Sequence, residues 1–167
     1  MIRLLFLVFA ISLKINCFSQ LDKDHFNKGI EQHNSGDYFG AIKNFNLAII
    51  LNEKNGLYYY HRGLSKALLN DNRGALLDFN KAIDLKYISS ICYHNRGVSK
   101  MFLKDYVGSL SDFNKAIKLN PLDGDCFHNR GLLKITLKQK DSACLDFSKA
   151  GELGCNKAYE TIKKYCN

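Results

Sequence analysis

Three arginines and three aspartates share one spacing. Arg62, Arg96 and Arg130 are followed 16 residues later by Asp78, Asp112 and Asp146, whereas Lys28 is followed at the same distance by Asn44. A guanidinium is a planar fork of donors that matches a carboxylate, so the covariation suggests a bidentate ion pair repeated between helices. Left unpaired, Arg62, Arg96 and Arg130 would instead form a row for an anionic or other small ligand, in a binding or enzymatic role in envelope metabolism, and this is the rival reading. Because the only Lys goes with the only Asn, mutual pairing accounts for the pattern without a ligand.

The remaining reactive side chains are sparse. His94 and His128, two of the histidines, are separated by the same interval as Arg96 and Arg130, but neither has a carboxylate or thiol beside it at a metal-motif spacing, and no HExxH or CxxC occurs. No zinc or other metal site and no cofactor is expected. The chain also lacks a P-loop, GxGxxG and GxSxG, and no nucleophile and base share a helical face. It is therefore not expected to be an enzyme.

What positions these residues is an internal repeat. Gly29, Gly63, Gly97 and Gly131 recur at one constant interval, as do Phe45, Phe79, Phe113 and Phe147, then Ala48, Ala82, Ala116 and Ala150, then Leu51, Leu85, Leu119 and Leu153. Each period holds an apolar-periodic segment of about 13 residues, a polar break and a second amphipathic segment. Asp37, Asp71 and Asp105 stand where an N-cap would accept bonds from the orphan amides of the second helix. Gly inside a helix costs roughly 1 kcal/mol against Ala, so the Gly column implies close approach of the partner helix, with the Phe filling the space between. One helix pair cannot bury its own apolar face, and stability must come from stacked neighbours.

An interval of about 34 residues with small–aromatic–small columns resembles the tetratricopeptide (TPR) family, and the likeness extends over residues 22–157. The four repeats are 22–55, 56–89, 90–123 and 124–157, and a capping helix over 158–167 follows. The Gly column matches the family's small residue in the first helix, and Ala41, Ala75 and Ala143 match the Ala that opens the second. Ser109 replaces that Ala in the third repeat, the closing Pro survives only as Pro121, and no Trp occurs. The expected fold is an all-α TPR solenoid of four helix-turn-helix repeats within one compact domain. In the cap, Gly154 is expected to end a helix in the left-handed conformation and Asn156 to start the next. Ala158, Tyr159, Ile162, Tyr165 and Cys166 would then form its apolar stripe.

The resemblance also implies a function. In TPR proteins the first helices line a concave groove, and the corresponding positions here include Asn27, Tyr60, His61, His94, Asn95, Phe102, His128 and Asn129. Asn amides donate and accept at once, which suits the backbone of an extended peptide above an apolar floor. The bland alternative is that these residues tile a wet surface and satisfy nearby carbonyls. The cationic clamp that some TPR domains close on a C-terminal carboxylate is absent: its positions hold Phe26, Tyr60, His94 and His128, then Ile30, Leu64, Val98 and Leu132. The expected partner is another protein, bound as a peptide or helix, and the sequence leaves room for self-association.

Residues 1–19 stand apart from the repeats. Arg3, the apolar run Leu4–Leu13 and the small residues before Gln20 have the layout of a cleaved secretory signal, too short to span a bilayer. A lipoprotein signal acylated at Cys17 is the main alternative, but Lys14-Ile15-Asn16 matches it poorly. The expectation is an exported protein of a bacterial cell envelope, periplasmic or secreted or associated with that envelope, with no membrane span after cleavage. Loss of Arg3 and Lys14 would lower the formal charge from +8 to +6, with the other basic residues scattered in runs no longer than two. That pattern suits a solvated helical face with a modest preference for acidic partners and does not suggest nucleic-acid binding.

Export would leave five cysteines: Cys92, Cys126, Cys144, Cys155 and Cys166. Cys144 and Cys166 flank the Gly154 turn at ten and twelve residues, opposite one another in a helical hairpin, and related TPR proteins pair a Cys there with a near-terminal Tyr-Cys. A Cys144–Cys166 bridge is expected, whereas Cys92 and Cys126 lie on successive first helices, too far apart to bridge readily.

Overall fold

Local signals cut the chain into helical hairpins. The structure is a computed structural model that describes residues 20–166, so the expected signal peptide lies outside the described residues. Helix α1 runs through residues 20–34, followed by α2 (Tyr38–Leu51), α3 (Gly56–Leu68), α4 (Asn72–Asp84), α5 (Ser90–Phe102), α6 (Tyr106–Leu119), α7 (Gly124–Thr136), α8 (Lys140–Glu152) and α9 (Lys157–Tyr165). Among the described residues no strand occurs.

The breaks between paired helices are chemically defined. Asn70, Lys104 and Lys138 turn the chain with φ of 62°, 63° and 61°, and Gly36 does so at 86°. Next, the carboxylates of Asp37, Asp71 and Asp105 accept from the backbone amides of Gly40, Gly74 and Gly108, capping α2, α4 and α6. The fourth repeat has Gln139 at this point, and its side chain makes no capping bond to α8.

Within each hairpin the Gly column receives the Phe column. Phe45, Phe79, Phe113 and Phe147 are fully buried, and their rings lie against Gly29, Gly63, Gly97 and Gly131. Ala41, Ala75 and Ala143 are fully buried as well. Ser109 brings a hydroxyl to the same place, and it is tolerated because Oγ donates to the carbonyl of Gly97 at 2.7 Å.

The chain divides into two compact units, one ending at Lys86 and holding α1–α4, the other starting at Tyr87 and holding α5–α9. Two details of the C-terminal cap differ from expectation. Asn156 begins α9 without a side-chain capping bond. Tyr159 is 63 % exposed while Ala158 is fully buried, because the inward face runs through Ala158, Thr161, Ile162 and Tyr165 at helical spacing. Gly154 takes φ of 84°, as the turn requires.

Candidate functional site

The helix pairs are clasped by a repeated charge cluster. Arg62 donates through Nε to Asp78 Oδ2 at 2.9 Å and through Nη2 to Oδ1 at 2.6 Å. Arg96 makes the same pair of bonds to Asp112, and Arg130 to Asp146, at 2.8 and 2.6 Å each. A second cation completes every cluster: Lys66, Lys100 and Lys134 place Nζ 2.8, 2.8 and 2.7 Å from the same carboxylates. These lysines stand one helical turn after each Arg and form a column of their own, a signal in the sequence that the pairing of Arg with Asp alone overlooks.

The geometry assigns the clusters a structural task. The aspartate side chains are only 4–6 % exposed, and each is neutralised from two sides. Arg62 and Arg130 commit their remaining Nη1 to Asn46 and Asn114, and every guanidinium lies 5.3 Å from an aromatic centroid: Tyr59, Tyr93 or Phe127. In the first repeat, where Lys replaces Arg, Asn44 instead bonds Gln32 and His25.

The eight residues expected to line a groove divide sharply. Tyr60 and His128 are 4 % and 7 % exposed and so fill interior space, contrary to a role as groove walls. His128 Nε2 meets Thr161 Oγ1 of α9 at 2.9 Å, and burial, with Lys157 nearby, pushes its pKa down. His61 lies against the rings of Phe26, Phe45 and Tyr60; burial, then the neighbouring His33, pushes it down to about 4. His94 stands edge-on to Phe113, and its Nε2 bonds Asn129 Nδ2 at 2.8 Å. Asn95 is half-buried, and of the eight only Asn27 and Phe102 are exposed, Phe102 at 64 %.

One arrangement escaped the sequence altogether. His94 Nδ1 lies 3.4 Å from Asp123 Oδ2, and a ring nitrogen of His94, a carboxylate oxygen of Asp123 and Cys126 Sγ all fall within 4.8 Å of one another. The whole of α6 separates His94 from Asp123 along the chain, so no motif spacing announces them. Asp123 also caps α7 through Oδ1, which accepts from the Cys126 amide at 3.0 Å. Burial, reinforced by Asp123, pushes the Cys126 thiol up to about 12. Asp123 further lines a cavity of about 310 Å³ shared with Asn120, Asp125 and Cys155.

At the C-terminus the sulfurs of Cys144 and Cys166 are 2.04 Å apart, with Cα atoms 5.8 Å apart, tying α8 to the end of α9. Tyr165 stacks on Phe147 with centroids 6.5 Å apart. Cys92, Cys126 and Cys155 are free and buried. Among the described residues no helix is long and apolar enough to cross a membrane.

No family model matches the chain, and no curated protein matches it. Solved structures do. The crystal structure of MamA protein superposes with a TM-score of 0.78 at 19 % identity, covering 86 % of this chain and 80 % of that one. The first TPR of Spaghetti (RPAP3), bound to the HSP90 peptide SRMEEVD, gives 0.69 at 20 % identity over 72 % and 95 %. YrrB, described as a TPR protein with an unusual peptide-binding site, gives 0.71 at 15 % identity over 87 % and 84 %. The chain has the all-α helix-turn-helix repeat fold of TPR proteins.

Proposed function

We propose that this protein is a non-catalytic interaction module that binds another protein as an extended peptide or a helix along its first helices. The observation that carries this is Phe102, a large apolar side chain 64 % exposed on α5 at a position where TPR proteins meet their ligands. Support comes from fold neighbours whose structures are described as peptide-bound or peptide-binding. The peptide would not be held by its terminal carboxylate, because the clamp positions are aromatic, imidazole or aliphatic. The anion-binding alternative is disfavoured, since it needs arginines that are committed to Asp78, Asp112 and Asp146.

We also infer export to a periplasmic or extracellular compartment. Supporting this are the signal-like layout of residues 1–19 and the bonding distance between Cys144 and Cys166, a pairing that oxidising compartments permit.

The test is crosslinking in cells followed by mass spectrometry, comparing the wild type with Phe102→Ala. This surface change should leave the melting temperature nearly unchanged. Loss of specific crosslinked partners supports the reading, and an identical partner set from the variant overturns it. Non-reducing peptide mapping of protein from the envelope tests export: free thiols at both Cys144 and Cys166 would count against it.

A further inference from the structure

The geometry points to a metal site in the second unit, formed by His94, Asp123 and Cys126 and suited to zinc. Imidazole nitrogen, carboxylate oxygen and thiolate sulfur are the donors zinc takes, and catalytic or exchangeable sites commonly use three protein ligands with water in the fourth place. Bonds of about 2.0 Å to N and O and about 2.3 Å to S, at tetrahedral angles, separate ligand atoms by about 3.3–3.6 Å. The observed His94 Nδ1 to Asp123 Oδ2 distance of 3.4 Å already matches, and no other pair exceeds 4.8 Å.

The unloaded contact is a loose one. A charge-assisted N–H to carboxylate bond closes to about 2.7–2.9 Å, whereas Nδ1 and Oδ2 stand 3.4 Å apart. Asp123 is held in place by its other oxygen, which caps α7, so Oδ2 is aimed by the helix start and not by His94. The far edge of the imidazole is fixed too, with Nε2 2.8 Å from the Asn129 amide. Turning that amide end for end lets Asn129 Oδ1 accept from Nε2–H, which leaves the Nδ1 lone pair on the Asp123 side, while the Cys126 thiol of the unloaded site donates to the Phe113 carbonyl at 3.7 Å. Asn129 is then a positioning residue for the ligand.

Access is compatible with the site, and the metal must supply what favours the thiolate. The Asp123 and His94 side chains are 21 % and 12 % exposed, so the site is reached from the side of the carboxylate and the imidazole, with the buried Cys126 at its inner end. Cys126 binds as thiolate, and each zinc taken up near neutral pH therefore releases the thiol proton to solvent.

The test uses the full chain with the Cys144–Cys166 bridge intact, titrated with Zn²⁺ and with Co²⁺ as a spectroscopic stand-in. One equivalent of Zn²⁺ is expected to survive dialysis, and Co²⁺ to produce a thiolate-to-cobalt charge-transfer absorption. Asp123→Asn keeps a good helix cap and removes only the carboxylate charge, so it should stay folded and weaken binding at least tenfold. Cys126→Ser should abolish the charge-transfer band with an unchanged circular dichroism spectrum. A folded wild type without the band, a band that persists in Cys126→Ser, or Zn²⁺ binding unaltered in Asp123→Asn would each overturn the site.

Discussion

A methyl group placed on Gly131 would sit 2.5 Å from Cε1 of Phe147, closer than nonbonded carbons approach. The glycine is thus required by its partner's ring. Gly131→Ala should destabilise the protein by about 1–3 kcal/mol, and Phe147→Leu in the same chain should recover part of that loss. Gly97→Ala, whose added carbon would lie 3.0 Å from Phe113, should cost less. Urea denaturation of the single and double variants measures the coupling, and strictly additive effects would contradict the contact.

The charge clusters lead to an asymmetric expectation. Asp112→Asn strands Arg96 and Lys100 beside a neutral amide at a site where the Asp side chain is 4 % exposed. The cost should approach about 3 kcal/mol. Lys100→Met leaves the bidentate Arg96 pair intact and should cost about 1 kcal/mol or less. Equal losses from the two changes, by chemical denaturation, would refute the hierarchy.

Bridging Cys144 and Cys166 closes a loop spanning 22 residues. On the chain-entropy argument a crosslink of that length contributes about 3 kcal/mol. Cys166→Ser should lower stability by that order and make the protein insensitive to added dithiol. A wild-type melting curve that does not shift on reduction would show that the bridge is not a staple.

His61 makes stability depend on acidity in one direction. Its folded pKa is pushed from 6.5 down to about 4, so between those values the unfolded chain binds a proton that the folded chain does not. The stability difference is therefore fully present above pH 6.5 and is lost as pH falls toward about 4. His61→Gln should flatten the fall in melting temperature across that window relative to wild type, and parallel curves would discard the assignment.

Everything that recurs could be read from the chain alone. A contact inside one helix pair repeats with every period, so the Arg–Asp spacing of 16, the Gly and Phe columns and the Asp caps were legible as columns. The side chains that meet through contacts made once left no column. His33 meets Ser65 at a separation of 32, His94 meets Asn129 at 35 and His128 meets Thr161 at 33, each close to one period but joining unlike residue types. For that reason polar residues expected to face a groove are spent on their neighbours, and His94, Asp123 and Cys126 converge unannounced. The division into two units is likewise a tertiary outcome. Periodicity dictates which helix pairs form because each pair uses the same few columns; which side chains fill the space between successive pairs depends on packing of unlike residues, and only the folded chain decides that.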